Sequence, residues 1–426
     1  MIPVQLKFDP EFEHSLAQAV QNKAQIYIAL SGGVDSVVLL DLIYQLFQKN
    51  QYNIASLRVI YVNHQLQPEA NNAWQIFCQN IANQYQLHFI AEKIELSPKA
   101  GESLENFARI HRYRLFFKHV RPNTQDILLL GHHLDDQAET VLFRLVKGAG
   151  PKGLSGMKKL YHYHNRVIHR PLLSISKQSI LDYAKKNQLA YIQDPSNHNL
   201  NYDRNFLRQA IMPALSSRFG SANKAIVRGA RHYYQQQQAL DYFIDQALKK
   251  MQTSHACHDN CLDFKLLSTY PEQVQLNLIR NWLEFSECKS PSEKKLIQIL
   301  HQFRTARPDR IPEISWGENN QYIVRKYQSK IFLEKKLNSI HLNKIKDYSA
   351  WLSKNLIQEK KRVPGQKVYF LYKTHSSDLK KILQDLSVPP WERDKILLYF
   401  YQEKYLVAVA GYWEESLFFS KYSGLI

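Results

Sequence analysis

Blocks of apolar residues in the first half of the chain alternate with blocks in which apolar residues recur every three or four positions. The apolar blocks predict buried strands at Gln25–Leu30, Leu57–His64, His88–Leu96 and Asp126–His132. The intervening blocks predict helices that begin near Val34 and cover 70–84, 102–120 and 135–146. Near-continuous apolar strands are typical of parallel sheets that are covered on both faces. The pattern therefore predicts an α/β fold with a doubly wound parallel sheet.

Beyond Arg208 the pattern changes. Residues 215–305 predict helices with polar faces, and 313–333 predict a hairpin around Asn319 and Asn320. A basic linker, Lys344–Arg362, precedes a small mixed segment with strands predicted at Lys367–Tyr372 and Tyr405–Ala410. A chain of 426 residues has room for about three domains at roughly 150 residues each. We expect an α/β domain at 1–215, a mainly helical domain at 216–340 and a small α+β domain at 341–426.

Basic residues outnumber acidic ones. The chain has 56 Lys and Arg against 38 Asp and Glu, a formal charge of +18, and its 12% aromatic residues include 25 Tyr. Such an excess favours a polyanionic partner, and aromatic rings can stack on looped or single-stranded nucleic acid. The alternative is a basic protein without a nucleic-acid role, whose aromatic residues lie in the core.

The four cysteines are too few for a disulfide scaffold and suit a reducing compartment. The first ten residues lack a basic segment followed by an apolar one, and no apolar run approaches the roughly 18 residues of a membrane span. We expect a cytoplasmic protein. His255, Cys257, His258 and Cys261 could be drawn as zinc ligands, but a second paired arm is missing from the spacing, and we predict a polar connector there.

A glycine-rich turn, Leu30–Ser36, joins the first strand to the first helix. Gly32 and Gly33 permit close approach to a ligand, and the first N–H groups of the helix face an anion. The hydroxyls of Ser31 and Ser36 add donors. Asp35 beside bound phosphates needs a cation such as Mg²⁺, unless it caps the turn, and we interpret it as a metal contact. The loop is neither a Walker A motif nor a dinucleotide fingerprint, and the alternative is an ordinary turn.

A second cluster of polar residues, GHHLDDQAET, covers 131–140. Asp136 and Glu139 are spaced i, i+3, so both carboxylates lie on one side of the first helical turn. Carboxylates this close need a cation or a shared proton, and Mg²⁺ or the ammonium of an amine substrate would serve. The alternative is acidic residues that favour the helix dipole. Because ligands gather beyond the carboxyl ends of the strands, we expect 31–36, Asn63 with His64, and 131–139 to share one crevice.

The string SGGVDS resembles the PP-loop of ATP pyrophosphatases, which cut ATP between its α and β phosphates. Together with GHHLDDQAET and four further segments, it makes the chain similar to the tRNA(Ile)-lysidine synthetase family. The further segments are LVKGAGPKGLSGM at 145–157, RPLLSIS at 170–176, DPSNHNLNYDRNFLR at 194–208 and VPPWERD at 388–394. The matches follow one another in order and account for nearly the whole chain.

The resemblance implies a two-step ligation on a tRNA(Ile) with a CAU anticodon. ATP adenylylates the C2 oxygen of the wobble cytidine and releases pyrophosphate. The side-chain amine of free L-lysine then attacks C2 and expels AMP, which leaves lysidine. The implied cofactors are ATP and Mg²⁺. Dimerisation is common in this family, so we also expect a homodimer.

The resemblance also implies roles for individual residues. ATP and Mg²⁺ would be held by six loop residues: Ser31, Gly32, Gly33, Val34, Asp35 and Ser36. Asp136 and Glu139 would bind the lysine amine or the metal and help to deprotonate the nucleophile. Arg112 would steady the adenylylated intermediate with His132 beside it, and the spacing of Arg109 and Arg112 puts both on one helix face, as charge stabilisation requires. The alternative for these arginines is solvated surface charge.

The later segments are expected to dock tRNA, with Arg204, Arg208, Lys360, Lys361 and Arg362 as candidate phosphate contacts. Taken singly, each is equally compatible with solvated charge. Two departures from the family pattern stand out. His64-Gln65-Leu66-Gln67 lacks the usual glycine and arginine, which puts a contact there in doubt, and Lys147 replaces an arginine, which loses bidentate pairing.

Three other functions remain open on the sequence. A thiolating PP-loop enzyme needs a cysteine set for a cluster or persulfide, and the chain has no CxxC. A small-molecule adenylylating ligase explains the loop but not the basic C-terminal segments. A non-catalytic RNA-binding module predicts that Asp136→Ala leaves the main activity intact.

Overall fold

The chain folds as two units, Met1–Ala239 and Leu240–Ile426. The computed structural model describes residues 6–63, 68–94, 104–193, 203–255, 258–286, 288–307, 310–335, 348–354 and 356–422. Within these ranges no helix has both the length and the hydrophobicity needed to cross a bilayer.

A six-stranded sheet forms the centre of the first unit. Its strands are β1 Ile26–Ala29, β2 Leu57–Asn63, β3 His88–Lys93, β4 Ile127–Leu129, β5 Leu160–Tyr163 and β6 Arg166–His169. Their order is β3-β2-β1-β4-β6-β5, and every pairing is parallel except that of β5 with β6. The doubly wound parallel sheet is confirmed. The β5–β6 hairpin was not predicted from the sequence, although His164 and Asn165 both have positive φ, as a tight hairpin turn requires.

Helices cover both faces of this sheet. The helices in this part of the chain are α1 Pro10–Gln21, α2 Val34–Lys49, α3 Pro68–Gln84, α4 Leu104–His119, α5 Leu134–Val146, α6 Pro151–Leu154, α7 Lys177–Lys186, α8 Asp203–Phe206, α9 Met212–Phe219 and α10 Ala222–Met251, the last of which continues into the second unit. Alternation along β1 explains the two layers: Ile26 and Ile28 join the core beneath α1, α2 and α7, whereas Tyr27 joins the core beneath α4. Both layers therefore exclude water from the sheet.

The second unit contains two further sheets. The strands of the first are β7 Gln252–His255, β8 His258–Asp263, β9 Glu313–Trp316, β10 Tyr322–Tyr327 and β11 Lys330–Lys335, in the order β7-β8-β11-β10-β9. The strands of the second are β12 Gln358–Lys361, β13 Lys367–Phe370, β14 Ser376–Asp378, β15 Leu397–Tyr401, β16 Tyr405–Val409 and β17 Trp413–Glu414, in the order β12-β15-β16-β13-β14 with β17 on β16. The helices are α11 Phe264–Leu267, α12 Glu272–Phe285, α13 Glu293–Thr305, α14 Ser349–Ser353, α15 Leu379–Asp385 and α16 Ser416–Tyr422.

Two sequence interpretations of this unit are wrong. The predicted polar connector around His255, His258 and Cys261 is the β7–β8 hairpin, in which Cys261 is fully buried and pairs with Phe332 of β11; Cys257 lies outside the described residues. The predicted linker at 344–362 contains α14 and β12. In contrast, the hairpin predicted around Asn319 and Asn320 is confirmed as β9–β10.

The segment Val388–Asp394 joins the two sheets of the second unit. The Trp391 ring packs edge-on against Phe332 at 5.5 Å between centroids, and the Arg325 guanidinium carbon lies 5.0 Å from the Trp391 ring centroid. Arg393 is buried, donates to the carbonyl of Val388 at 2.9 Å and reaches the Tyr327 hydroxyl at 3.3 Å. Aromatic and charge-assisted contacts of this kind hold neighbouring elements in one arrangement. This segment is therefore an internal joint of the second unit.

Candidate active site

A crevice opens in the first unit beyond the carboxyl ends of β1 and β4. In the sheet, β2 and β3 lie on one side of β1, and β4 lies on the other side. The direction in which successive strands are added therefore reverses at β1. Such a switch point is where doubly wound sheets bind ligands. The crevice has a volume of about 740 Å³, and both the loop after β1 and the segment after β4 line it. The predicted meeting of 31–36 with 131–139 is confirmed for Gly131, His132 and Asp136, whereas Asn63 does not line the crevice and Glu139 lines a smaller neighbouring cavity; His64 lies outside the described residues.

The loop after β1 is held by its own serines. Ser36 Oγ accepts from the Ser31 backbone N–H at 3.1 Å and donates to the Gly33 carbonyl at 2.9 Å. Gly32 has φ +83°, and a Cβ there would come within 3.1 Å of Ile192 and 3.2 Å of the Cys78 sulfur. A glycine is therefore required at this position. The result is a rigid turn that presents the N-terminus of α2 to the crevice, which suits an anion.

Gly131 sets the distance between the two segments. A Cβ on Gly131 would lie 3.2 Å from the backbone carbonyl carbon and oxygen of Asp35, closer than backbone atoms normally allow. The missing side chain thus lets the end of β4 touch the first turn of α2. This contact brings Asp35 near the acidic turn of α5.

His133 connects the two acidic segments. It caps α5, with its Nδ1 accepting from the Asp136 N–H at 3.3 Å while Asp136 Oδ2 accepts from the His133 N–H at 3.1 Å. With Nδ1 as an acceptor, we assign the ring N–H to Nε2. That nitrogen lies 3.6 Å from Asp35 Oδ1 and 3.4 Å from Asp136 Oδ2. The two carboxylates therefore flank one imidazole nitrogen.

Arg208 neutralises the acidic pair on α5. Its Nε and Nη2 donate to the two carboxylate oxygens of Glu139 at 2.7 and 2.8 Å, and Nη2 also reaches Asp136 at 2.9 Å. Burial raises the pKa of the Glu139 carboxyl above its ordinary value, and the Asp136 charge adds to the rise, although Arg208 opposes it. Hydrogen bonds to Glu139 in turn raise the pKa of Arg208. The guanidinium thus compensates a buried carboxylate.

Arg208 lies on a π-helical turn, Leu207–Ile211, between α8 and α9. Pro213 follows within the first turn of α9 and has no N–H to complete the regular hydrogen-bond ladder, which accounts for the irregular turn. The sequence predicts Arg208 as a phosphate contact of RNA. Its position in the crevice was not predicted, because the partner carboxylates are 69 and 72 residues away in the chain.

Lys177 was missed altogether. Its Nζ donates to both carboxylate oxygens of Asp35, at 2.7 and 2.8 Å. Its backbone N–H donates to Asp135 Oδ2 at 2.7 Å, so the start of α7 is fixed to the start of α5. Lys177 directly follows the RPLLSIS segment, which was the one signal in the sequence that could have drawn attention to it.

Basic residues also lie at the crevice. Arg112 and His132 line it, and the Arg109 guanidinium lies over the Tyr113 ring at 5.3 Å. Burial lowers the pKa of His132 well below its ordinary value, and the charges of Arg170, Arg112, Arg109 and Arg204 lower it further. The imidazole is therefore neutral at physiological pH. Among the described residues, its buried Nδ1 has no hydrogen-bond partner.

The remaining predicted contacts lie in different places. Arg204 is partly buried, with Nη2 3.3 Å from the Thr140 hydroxyl in the first unit. Lys360 and Lys361 lie on β12 of the second unit, where Lys361 is exposed. Arg362 follows them and donates to Asp394 at 2.8 Å. These three basic residues are consecutive in the chain and are hereafter called the β12 surface, although Lys360 and Lys361 lie on opposite faces of the strand and the Arg362 side chain is only 17% exposed.

A smaller cavity of about 280 Å³ adjoins the acidic side of the crevice. Both cavities share Lys177 and Arg208. The smaller one is lined by His133, Asp135, Glu139, Met212, Pro213, Ser216 and Asn223 as well. Asn223 donates to Asp135 Oδ1 at 2.6 Å. The small cavity therefore combines an apolar floor with carboxylates, as the binding of a small cationic molecule requires.

Family models match three parts of the chain. The PP-loop domain matches residues 5–215, the TilS substrate binding domain 262–332 and the TilS substrate C-terminal domain 357–423. Similar curated proteins are named tRNA(Ile)-lysidine synthase. That of Haemophilus ducreyi is 32% identical over 92% of this chain and 95% of its own length, and that of Histophilus somni is 32% identical over 92% and 98%.

A solved structure also resembles part of the chain. It is the U34-tRNA thiolase NcsA from Methanococcus maripaludis with its [4Fe-4S] cluster, at a TM-score of 0.42 and 20% identity, covering 52% of this chain and 77% of that one.

The Arg208–Glu139 pair gives a prediction about stability. Arg208→Gln removes the cation that opposes the burial of Glu139, so the pKa of Glu139 rises further. Keeping the ionised Glu139 carboxylate buried in the folded state then costs free energy, and protonation of the carboxylate removes this cost. The loss of stability is therefore largest near neutral pH and becomes smaller on acidification. Because Arg208 is 43% exposed, solvent screens part of the pairing, and we expect a loss of about 1–3 kcal/mol at neutral pH, measured by thermal unfolding at about pH 7 and 5.

The matched control is the double variant Glu139→Gln with Arg208→Gln. It has no buried carboxylate at this position, so its loss of stability should not change between the two pH values. An equal loss for the single variant at both pH values would show that the charge of Glu139 is not what Arg208 compensates.

Proposed function

Because the chain belongs to the tRNA(Ile)-lysidine synthase family, we propose that the crevice of the first unit is its active site. The enzyme is an ATP-dependent ligase that joins L-lysine to C2 of the wobble cytidine in the CAU anticodon of tRNA(Ile). The reaction passes through an adenylylated cytidine and gives lysidine, AMP and pyrophosphate. One observation supports the proposed site: the glycine loop and the acidic turn of α5 line one crevice.

For the first step we propose that the glycine loop holds the triphosphate of ATP. The hydroxyls of Ser31 and Ser36 and the N-terminus of α2 supply donors for phosphate oxygens. Negative charge spreads over the α-phosphate as the cytidine oxygen attacks it. Arg112, which lines the crevice, would stabilise that charge, and neutral His132 would donate or accept a hydrogen bond there without adding a charge of its own.

For the second step we propose that free lysine enters the small cavity. Glu139 lines this cavity, and burial raises the pKa of its carboxyl. A carboxylate with a raised pKa is a better proton acceptor, so Glu139 and Asp136 would bind the ammonium and take up the proton that the amine must lose before it attacks. Arg208 holds both groups until the substrate cation replaces its guanidinium.

The same carboxylates fit Mg²⁺. Asp35 and Asp136 flank the Nε2 of His133, so they converge as two carboxylate ligands would, and Mg²⁺ commonly binds one or two carboxylates together with substrate phosphates. Bound there, the ion would neutralise charge on the phosphates. Asp35 already contacts a cationic group, since Lys177 donates to both of its oxygens.

We propose that the second unit and Arg204 contribute to tRNA docking. Arg208, which lies in the crevice, would contribute to it as well. The net charge of +18 supports this role, and the family models of the second unit are those of substrate domains. Free lysine, ATP and tRNA are all available in the cytoplasm, where we place the reaction. A homodimer remains a prediction.

The decisive experiment measures incorporation of labelled lysine into an unmodified tRNA(Ile) transcript with a CAU anticodon. Asp35→Asn and Asp136→Asn should each abolish incorporation, because each removes a charge that ATP or lysine requires. Their affinity for the tRNA should stay within about tenfold, or about 1.4 kcal/mol. Elongator tRNA(Met), which has the same anticodon, serves as the negative substrate.

Equal labelling of the two tRNAs would refute the stated specificity. Loss of tRNA binding in either variant would instead assign Asp35 or Asp136 to docking. Pyrophosphate release with lysine and ATP in the absence of RNA would point to a small-molecule ligase.

The β12 surface gives a prediction about salt. Changing Lys360, Lys361 and Arg362 to Gln should weaken tRNA binding and lower the slope of log Kd against log salt by about 0.7–0.9 for each phosphate that the variant no longer neutralises. Binding is measured by filter retention at several salt concentrations. Lys49→Gln, at the exposed end of α2, is the matched control and should leave the slope unchanged. An unaltered slope in the triple variant would remove this surface from the docking site.

A further inference from the structure

We propose that Lys177 is the triphosphate-binding cation that the glycine loop itself lacks, and that its ammonium neutralises Asp35 until the nucleotide arrives. This inference rests on the proposed ATP site. Nucleotide-binding loops of the Walker type carry a lysine for the β and γ phosphates, whereas residues 30–36 contain no basic side chain. In this fold the cation comes from α7.

The contact with Asp35 gives the position of the Lys177 ammonium before a nucleotide binds. Nζ lies 2.7 and 2.8 Å from the two oxygens of one carboxylate that stands in the first turn of α2. Lys177 and Asp35 both line the large crevice beside Ser31 and Ser36. The ammonium therefore lies beside the phosphate loop, although Lys177 is not part of the loop sequence.

The backbone of Lys177 is held by hydrogen bonds that do not depend on the position of its side chain. Its N–H donates to Asp135, and Asn223 holds the other oxygen of that carboxylate. Ser176 caps the same end of α7 through the Ser179 N–H. The Lys177 side chain is 36% exposed and has a flexible four-carbon stem. Its ammonium can therefore change partners by rotation while α7 stays in place.

The second cation of the crevice is held differently. Arg208 makes three hydrogen bonds to two carboxylates, one of them buried, whereas the ammonium of Lys177 contacts one carboxylate that is 28% exposed. Releasing Lys177 leaves no buried charge without a partner, so it costs less. Lys177 would leave Asp35 when a metal-bound triphosphate occupies the loop, and its ammonium would then bind phosphate oxygens.

The test compares ligands in Lys177→Met by isothermal titration, without tRNA or lysine. Affinity for the magnesium complex of α,β-methylene-ATP, which cannot be cut between the α and β phosphates, should fall about 10- to 100-fold. Affinity for AMP, which lacks the β and γ phosphates, should stay within about threefold. Mn²⁺ alone, titrated by electron paramagnetic resonance as a substitute for Mg²⁺, should bind several-fold tighter because its competitor at Asp35 is gone.

Two matched variants accompany the test. Lys177→Arg keeps a cation and should bind α,β-methylene-ATP within about threefold of the unsubstituted enzyme. Lys186→Met, an exposed position at the far end of α7, should change none of the three affinities. Thermal unfolding of each variant establishes that it is folded.

Unchanged affinity of Lys177→Met for the ATP analogue would overturn the proposal. An equal loss for AMP and the analogue would also overturn it, since Lys177 would then only shape the crevice. Mn²⁺ binding that does not tighten would refute the resting contact with Asp35. A failure of the proposed function would appear separately, as absent lysine incorporation by the unsubstituted enzyme.

Discussion

Mutual repulsion among carboxylates is the constraint on which this active site depends. Asp35, Asp136 and Glu139 stand close together at two neighbouring cavities, where like charges cannot all remain ionised without cations. The protein supplies those cations from other parts of the chain, with Lys177 on Asp35 and Arg208 on the pair in α5. Charge balance thereby ties α2, α5, α7 and the π-helical turn to one another. Under the proposed function, a substrate cation that enters would displace an internal one instead of filling an uncompensated site.

The charged groups of the first unit fall into two sets. One set is the carboxylates with their internal cations, and the other is the arginines that act on His132. Burial and the neighbouring guanidinium groups lower the pKa of His132 and keep it neutral, so the basic set gains a polar group without a further charge. An adenylyl transfer needs positive charge where phosphate develops negative charge, and an amine nucleophile needs a proton acceptor. In the proposed mechanism the two steps thus depend on electrostatically different sets of residues.

Local sequence patterns predicted the framework but not the pairing of charges. The apolar runs around Ile28 and Leu128 and the glycines of the loop act through near neighbours, so the sheet, the phosphate loop and the acidic turn could be predicted. The contact of Lys177 with Asp35 spans 142 residues, and no local periodicity encodes it. The β7–β8 hairpin was not predicted for a related reason. Its polar residues form strands because Cys261 and Leu262 pair with β11, which lies about 70 residues further along the chain.

The Trp391 joint gives the second unit a mechanical property. Trp391 and Arg393 contact residues of β10 and β11. The terminal sheet is therefore linked to the preceding sheet by side-chain contacts and not by a flexible hinge. Displacing the terminal sheet relative to β10 and β11 would require these contacts to break.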